Sequence, residues 1–286
     1  MRMSARPGGW HGAVTRTRAW GAVLILAMAL VLTFAGVAAA GGFGLSEAGS
    51  GGNQARRPDP VHFSTSGTGH GQQSAVHHPA APATSCRSVA HIGDSTSVDL
   101  TSPVTVPDPA HRLPAQYADV GVQHLRLSAS GGRSIVETLP GQVNGYDVAR
   151  DWWHAGYRSC WVFALGTNDA ANVAAGSAIG LTARIDKMMS VAHGEPVLWV
   201  NTTTLLSSGP WSQANERAWD HALDAALARY PNMRVLNWAA IAKPGWFLAD
   251  GIHYTEVGCT ARAKAIADGL AASFPLHGHS RGQIVR

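Results

Sequence analysis

Residues 88–100 read SVAHIGDSTSVDL. Val89, Ala90 and Ile92 form a short apolar run between turn residues, the pattern of a strand buried on both faces of a parallel sheet. Gly93 and Asp94 break the run, and Ser95 stands where a strand would hand over to a helix. A hydroxyl there lies at the carboxyl end of a strand, where open α/β sheets place their sites. The first N–H groups of a following helix would point at whatever is bound. Gly-Asp-Ser alone is short and common, and Asp94, Ser95 and Ser97 read equally well as turn and cap residues. The chain downstream decides between the two.

There the strand-then-helix pattern repeats. Residues 119–127 (DVGVQHLRL) predict a second strand, closed by Ser128-Ala129-Ser130-Gly131-Gly132. Residues 146–157 predict a helix with Val148, Trp152 and Trp153 towards the sheet. Residues 160–165 (CWVFAL) form a third strand, continuously apolar as expected when both faces are covered. Leu181, Ile185, Met188, Met189 and Ala192 recur at helical spacing, and the Met pair reads as core. Residues 196–201 (PVLWVN) give a fourth strand and 233–238 (MRVLNW) a fifth. Between them Trp219, Leu223, Ala226, Leu227 and Tyr230 make one stripe, with Glu216, Asp220 and Asp224 facing water. Residues 255–274 predict an Ala-rich closing helix. The fold class is α/β, with a five-stranded parallel sheet covered by helices on both faces.

Upstream, the composition changes. Residues 1–18 carry four arginines and no acid, and residues 19–40 (AWGAVLILAMALVLTFAGVAAA) carry no charge. That apolar run would reach ~33 Å as a helix, enough to cross a bilayer. The basic flank predicts a cytoplasmic start and an exported remainder. Val37-Ala38-Ala39-Ala40 also offers a small-residue cleavage site, so a retained anchor and a removed signal peptide both fit. Residues 41–85 are Gly, Ser, Ala, Pro and His with almost no large apolar side chain, the composition of a disordered linker. His62, His70, His77 and His78 show no metal-ligand spacing and read as part of that tether. Six of the 22 basic residues and two of the 18 acids precede Cys86, which leaves 16 of each from there on. The high pI therefore belongs to the leader and tether and argues against a nucleic-acid-binding domain. Residues 277–286 read as a disordered tail behind a folded domain spanning 86–276.

Two further stretches follow expected strands. Gly166-Thr167-Asn168-Asp169 comes after the third, and the Asn168 amide is a neutral donor suited to an oxyanion, though Gly166 and Asp169 also read as turn and helix cap. The Gly131-Gly132 turn could add a backbone N–H at the same edge. Near the end, Asp250 and His253 are three residues apart. In a tight turn that carboxylate can hold the imidazole N–H, fix its tautomer and stabilise the imidazolium a serine nucleophile requires. Each signal is weak alone, but all of them fall after parallel strands and so converge on one sheet edge.

In that order, Gly93-Asp94-Ser95, a glycine after the second strand, Gly166-Thr167-Asn168-Asp169 and Asp250-x-x-His253 resemble the four sequence blocks of the SGNH/GDSL hydrolases, over residues 86–274. The resemblance implies a flavodoxin-like three-layer α/β/α fold. It implies Ser95 as nucleophile, His253 as general base and Asp250 as its orienting partner. The oxyanion hole it implies is built from the Ser95 N–H, the N–H of Gly132 (or of Gly131) and the Asn168 side chain. Thr96 stands where the family usually has Leu. A Gly-x-Ser-x-Gly elbow is absent, because Ser97 occupies its last position. No metal or cofactor is called for.

An exported domain resembling this family would act on O-acyl groups of cell-envelope carbohydrate, by hydrolysis or acyl transfer. A lipid esterase or lysophospholipase is the alternative, and a non-catalytic envelope-binding module is disfavoured by the nucleophile and base together. Trp211 and Trp246 fall in loops at the expected active edge, where they would stack on a sugar or receive an acyl chain, or else anchor their loops in the core. The partners expected are an ester substrate and, through residues 19–40 if uncleaved, a membrane; the domain is expected as a monomer. Of three cysteines, export allows one disulfide and leaves one thiol over. The strand order implied by the resemblance sets the first and third strands side by side. A Cys86–Cys160 bridge at the edge opposite the site is therefore expected, with Cys259 free and buried.

Overall fold

β1 (Ser88–Gly93) is flanked by β2 (His124–Ala129) on one side and β3 (Cys160–Ala164) on the other, both parallel to it. β4 (Val197–Val200), β5 (Met233–Leu236) and β6 (Ile284–Val285) extend the sheet beyond β3, giving the order β2-β1-β3-β4-β5-β6. The chain winds from β1 one way to β2 and then back past β1 to β3. The order of winding therefore reverses between β1 and β3, and the carboxyl ends of those two parallel strands border the crevice where such folds bind ligands. This computed structural model describes residues 83–280 and 282–286. The expected basic leader (1–18), apolar segment (19–40) and all but the end of the linker (41–85) lie outside the described residues. Among the described residues no helix is long and apolar enough to cross a membrane.

The strands are apolar throughout because alternate side chains enter two different cores. Val89, Val162, Ala164, Leu198 and Val200 pack with α2 (Leu113–Asp119) and α7 (Glu256–Ser273), through Leu113, Tyr117, Ile266 and Leu270. Ala90, Ile92, Trp161, Phe163 and Trp199 pack on the other face with α3 (Gly145–His154), α5 (Leu181–Ala192) and α6 (Gln213–Ala226). Met188, Met189, Trp219 and Leu223 lie in that second core. Two short helices complete the set, α1 (Ser95–Val98) and α4 (Thr167–Ala174), each directly after a strand.

Four expectations are corrected. The sheet has six strands, not five, because residues 277–286 are not a disordered tail throughout. Val235 N donates to Gln283 O and Asn237 N to Val285 O, each at 2.8 Å, so β6 covers what would be an unpaired edge of β5. The second strand begins at His124 rather than residue 119, since Asp119 ends α2 and Gly121, at φ +95°, turns the chain between them. Thr84 and Ser85, expected in the linker, already belong to the fold, hydrogen-bonded to Val120 O and Phe274 O. Finally, Glu216 and Asp220 on α6 do not face water. Glu216 is buried, and Asp220 Oδ1 accepts from Thr202 N at 3.0 Å, because the chain leaving β4 crosses over the first half of the helix.

Cys86 and Cys160 form a disulfide with Cα atoms 5.7 Å apart. Cys160 opens β3, in register with Val89, so the bridge lies at the amino edge of the sheet. Cys259 on α7 is free, and burial pushes its thiol up to about 12.

Candidate active site

β1 delivers the chain into a turn that the following four residues lock. Asp94 caps α1, its Oδ1 accepting from Thr96 N at 2.9 Å and from Thr96 Oγ1 at 2.7 Å. A Cβ on Gly93 would stand 2.3 Å from Ser97 Oγ, so only glycine lets Ser97 fold back beneath the turn. There Ser97 is buried, its Oγ 3.1 Å from His91 Nε2, while His91 Nδ1 lies 3.0 Å from Tyr117 Oη. Burial, helped by the charge of Arg262, holds His91 down at about 3, so this inner histidine stays neutral. Of the two serines it is Ser95 that reaches the surface.

Ser95 Oγ is 2.9 Å from His253 Nε2, across 158 residues of sequence. His253 Nδ1 is 2.7 Å from Asp250 Oδ2. A carboxylate only accepts, so Nδ1 carries the proton and Nε2 presents a lone pair to the Ser95 hydroxyl. Asp250 is held by its own turn, since its Oδ1 accepts from Ile252 N at 2.9 Å and His253 N at 3.0 Å. Burial pushes the Asp250 carboxyl up. The bonds from the His253 ring and from those two amides outweigh it and hold the group below its ordinary value. It therefore stays ionised while the imidazole takes a proton, which is what an orienting carboxylate must do.

The turn after β2 and the start of α4 meet beside this triad. Gly132 sits at φ +68°, and a Cβ there would come within 2.7 Å of Leu139 Cδ1. Gly131 has neither constraint, so residue 132 is the one that must be glycine. The next residue ties the turn to the nucleophile: Arg133 Nη1 donates to Gly93 O at 3.3 Å and Ser128 O at 2.8 Å. Asn168, on the first turn of α4, donates from Nδ2 to Arg133 O at 3.0 Å. One Nδ2 hydrogen remains for a ligand. The structure thus brings Ser95, His253 and Asp250 into one chain of hydrogen bonds and sets Asn168 against the Gly132–Arg133 turn.

Several residues that build this edge were not read from the sequence in the roles they have. Asp169 is not a helix cap but a buried partner of Arg184 on α5, at 2.8 Å, and its Oδ1 also accepts from Ile135 N at 2.9 Å. Arg184 is wholly buried and also binds Glu137, which Ser134 contacts at 2.7 Å. Burial alone would raise the Glu137 carboxyl, but the bonds from Arg184, Ser134 and Ser177 bring it down to about 2. This network fastens the loop after β2 to α4 and α5, the elements that carry Gly132 and Asn168. Its signal in the sequence was a single arginine among the apolar positions of α5.

The two tryptophans part company. Trp246 stacks on Trp238 with ring centroids 5.9 Å apart and packs against the core, so it anchors its loop instead of presenting a free face. Trp211 stays exposed on the loop after β4, and its Nε1 donates to Asn168 Oδ1 at 3.2 Å. Among the described residues no three His, Cys, Asp or Glu side chains gather as a metal ion would need.

No family model matches the sequence, and no curated protein does. Solved structures do match in fold. A lipase/acylhydrolase from Enterococcus faecalis superposes with a TM-score of 0.51 at 16% identity, over 68% of this chain and 100% of its own. A carbohydrate acetylesterase family member from Sinorhizobium meliloti also gives 0.51 at 16% identity, over 63% of this chain and 96% of its own. Fold and triad together define a class, that of three-layer α/β/α hydrolases with a serine nucleophile. At that identity the likeness establishes a shared fold, and the Ser95–His253–Asp250 arrangement is this chain's own evidence for serine-hydrolase chemistry.

Proposed function

We propose that this protein is an exported esterase that works through an acyl-enzyme on O-acyl groups of cell-envelope carbohydrate, releasing the acyl group to water or to an acceptor hydroxyl. The observation that carries the reading is the continuous Ser95–His253–Asp250 hydrogen-bond chain, at 2.9 and 2.7 Å, beside an Asn168 amide with one free N–H. Ser95 Oγ attacks the ester carbonyl carbon as its proton passes to His253 Nε2. The carbonyl oxygen becomes an oxyanion and takes hydrogen bonds from Ser95 N–H, Gly132 N–H and Asn168 Nδ2. Collapse expels the alkoxide, which leaves with the proton from His253. Water, or a hydroxyl of a second sugar, then gives its proton to His253 and attacks the acyl carbon, freeing Ser95.

The carbohydrate reading draws on the sequence's expected export and on the fold shared with the S. meliloti acetylesterase family member. A second reading, a lipid esterase, draws on the E. faecalis lipase/acylhydrolase and on Leu205 and Leu248. Leu205, on the loop after β4 that bonds Gly251, and Leu248, on the loop that holds Asp250, are 44% and 46% exposed. Labelling by a fluorophosphonate, lost in Ser95→Ala, tests the acyl-enzyme. A screen of acetylated glycans against long-chain esters then separates the two readings: turnover of long-chain esters alone would overturn the carbohydrate assignment. Export is tested by a reporter fused after Ala40, expected outside the cytoplasmic membrane. Mass measurement of the recovered protein distinguishes cleavage near Ala40 from a retained anchor.

A further inference from the structure

We infer that Trp211 is a positioning residue of the oxyanion hole, acting through the Asn168 amide. The inference rests on the proposed role of Asn168 as an oxyanion donor.

The Asn168 amide is gripped from both ends. Its Oδ1 accepts from Trp211 Nε1 at 3.2 Å, and its Nδ2 donates to Arg133 O at 3.0 Å. Turning the amide over would set two donors face to face at Trp211 and two acceptors face to face at Arg133. Both contacts therefore select the same orientation, the one that leaves the second Nδ2 hydrogen on the ligand side. The indole also donates to the carbonyl of the amide whose N–H does the work. Bonds in such a chain polarise one another, so a donor on Oδ1 makes the Nδ2 hydrogens better donors. That gain grows with the negative charge on the acceptor and so favours the transition state over bound ester.

The ring is itself held in place. Thr204 is fully buried, and its Oγ1 donates to Trp211 O at 2.6 Å, closing the loop after β4 on itself. Leu205 N then bonds Gly251 O at 2.8 Å, next to Asp250. One loop thus braces the oxyanion amide at one end and the triad turn at the other. Phe in place of Trp211 would keep an aromatic face for a substrate to stack on while losing the indole N–H that bonds Asn168 Oδ1.

The test is a double-mutant cycle on ester hydrolysis with Trp211→Phe, Asn168→Ala and the pair, with thermal melting as a check on folding. Trp211→Phe should lower kcat by roughly three- to tenfold, the scale of one hydrogen bond, with KM within about twofold. In the Asn168→Ala background the same change should have almost no effect, because the amide it orients is gone. Thr204→Val, which frees the loop but keeps the indole, should lower kcat in the same sense and serves if Trp211→Phe melts early. A raised KM with unchanged kcat, or an undiminished effect of Trp211→Phe on Asn168→Ala, would overturn the inference. A full-activity Asn168→Ala variant would instead overturn the oxyanion role beneath it.

Discussion

Ser95 and Ser97 are two residues apart, have the same side chain, and both lie near a histidine nitrogen. Their surroundings separate them. His91 is enclosed, neutral and backed by a tyrosine hydroxyl, which cannot stabilise an imidazolium as a carboxylate does. His253 is backed by an ionised Asp250 and open to solvent. Ser95→Ala and His253→Ala should each abolish nearly all ester hydrolysis with an unchanged melting curve, and persistent turnover in Ser95→Ala would mean another nucleophile. Asn168→Ala should lower kcat by roughly a hundredfold or more, the usual cost of one oxyanion donor. These residues were legible because each follows a strand and each chemistry needs its own residue type. Trp211 and Arg184 were not legible in their roles, since a hydrogen bond between Trp211 and Asn168, 43 residues apart, leaves no local pattern.

Element by element, periodicity found what packs and misjudged what is polar. The strands from β1 to β5 and the long helices were expected close to where they lie, because two covered faces impose a continuous apolar run on the strands and a stripe on the helices. α2, with 7 residues, is too short to show a stripe, and its absence displaced the start of the second strand. On α6 the pattern put Glu216 opposite the core, yet the chain from β4 covers that side too. Burial above all, reinforced by the carboxyls of Asp220, Asp94 and Asp169 and opposed by Thr202, pushes Glu216 up to about 9. The folded protein thus keeps a proton that the unfolded chain releases near the ordinary value of 4.5. Between those two points stability falls as pH rises, by at most ~1.4 kcal/mol per pH unit from this group. Glu216→Gln mimics the neutral acid and should flatten the fall, so that its advantage over wild type grows from pH 5 to pH 9 in denaturant melts. Asp220, raised by burial to about 7, leaves a residual slope below that pH. An advantage that does not change with pH would show that Glu216 is ionised in the fold.

In the whole molecule, the sheet separates chemistry from fastening. Ser95, Asn168, Asp250 and His253 sit at the carboxyl edge, whereas the Cys86–Cys160 bridge sits at the amino edge, where the chain enters β1. The order of strands implied by the four-block resemblance made this pairing readable in advance. β6 was not readable, since two residues of strand make too short a pattern to stand out from a polar tail. A bridge spanning 74 residues removes loop entropy from the unfolded chain. The chain-entropy model puts that at ~4 kcal/mol, and for a domain of this size the matching drop in melting temperature is on the order of 10 °C. Because β1 and β3 remain hydrogen-bonded along their length, loss of the bridge should leave the carboxyl edge where it is. Cys86→Ser/Cys160→Ser is therefore expected to melt earlier by that order while keeping kcat and KM near wild type at temperatures well below the transition. Non-reducing peptide mapping of the wild type should yield one linked pair with Cys259 alkylated. A double variant as stable as wild type, or one that loses turnover while still folded, would show that the bridge does not act as a remote fastening.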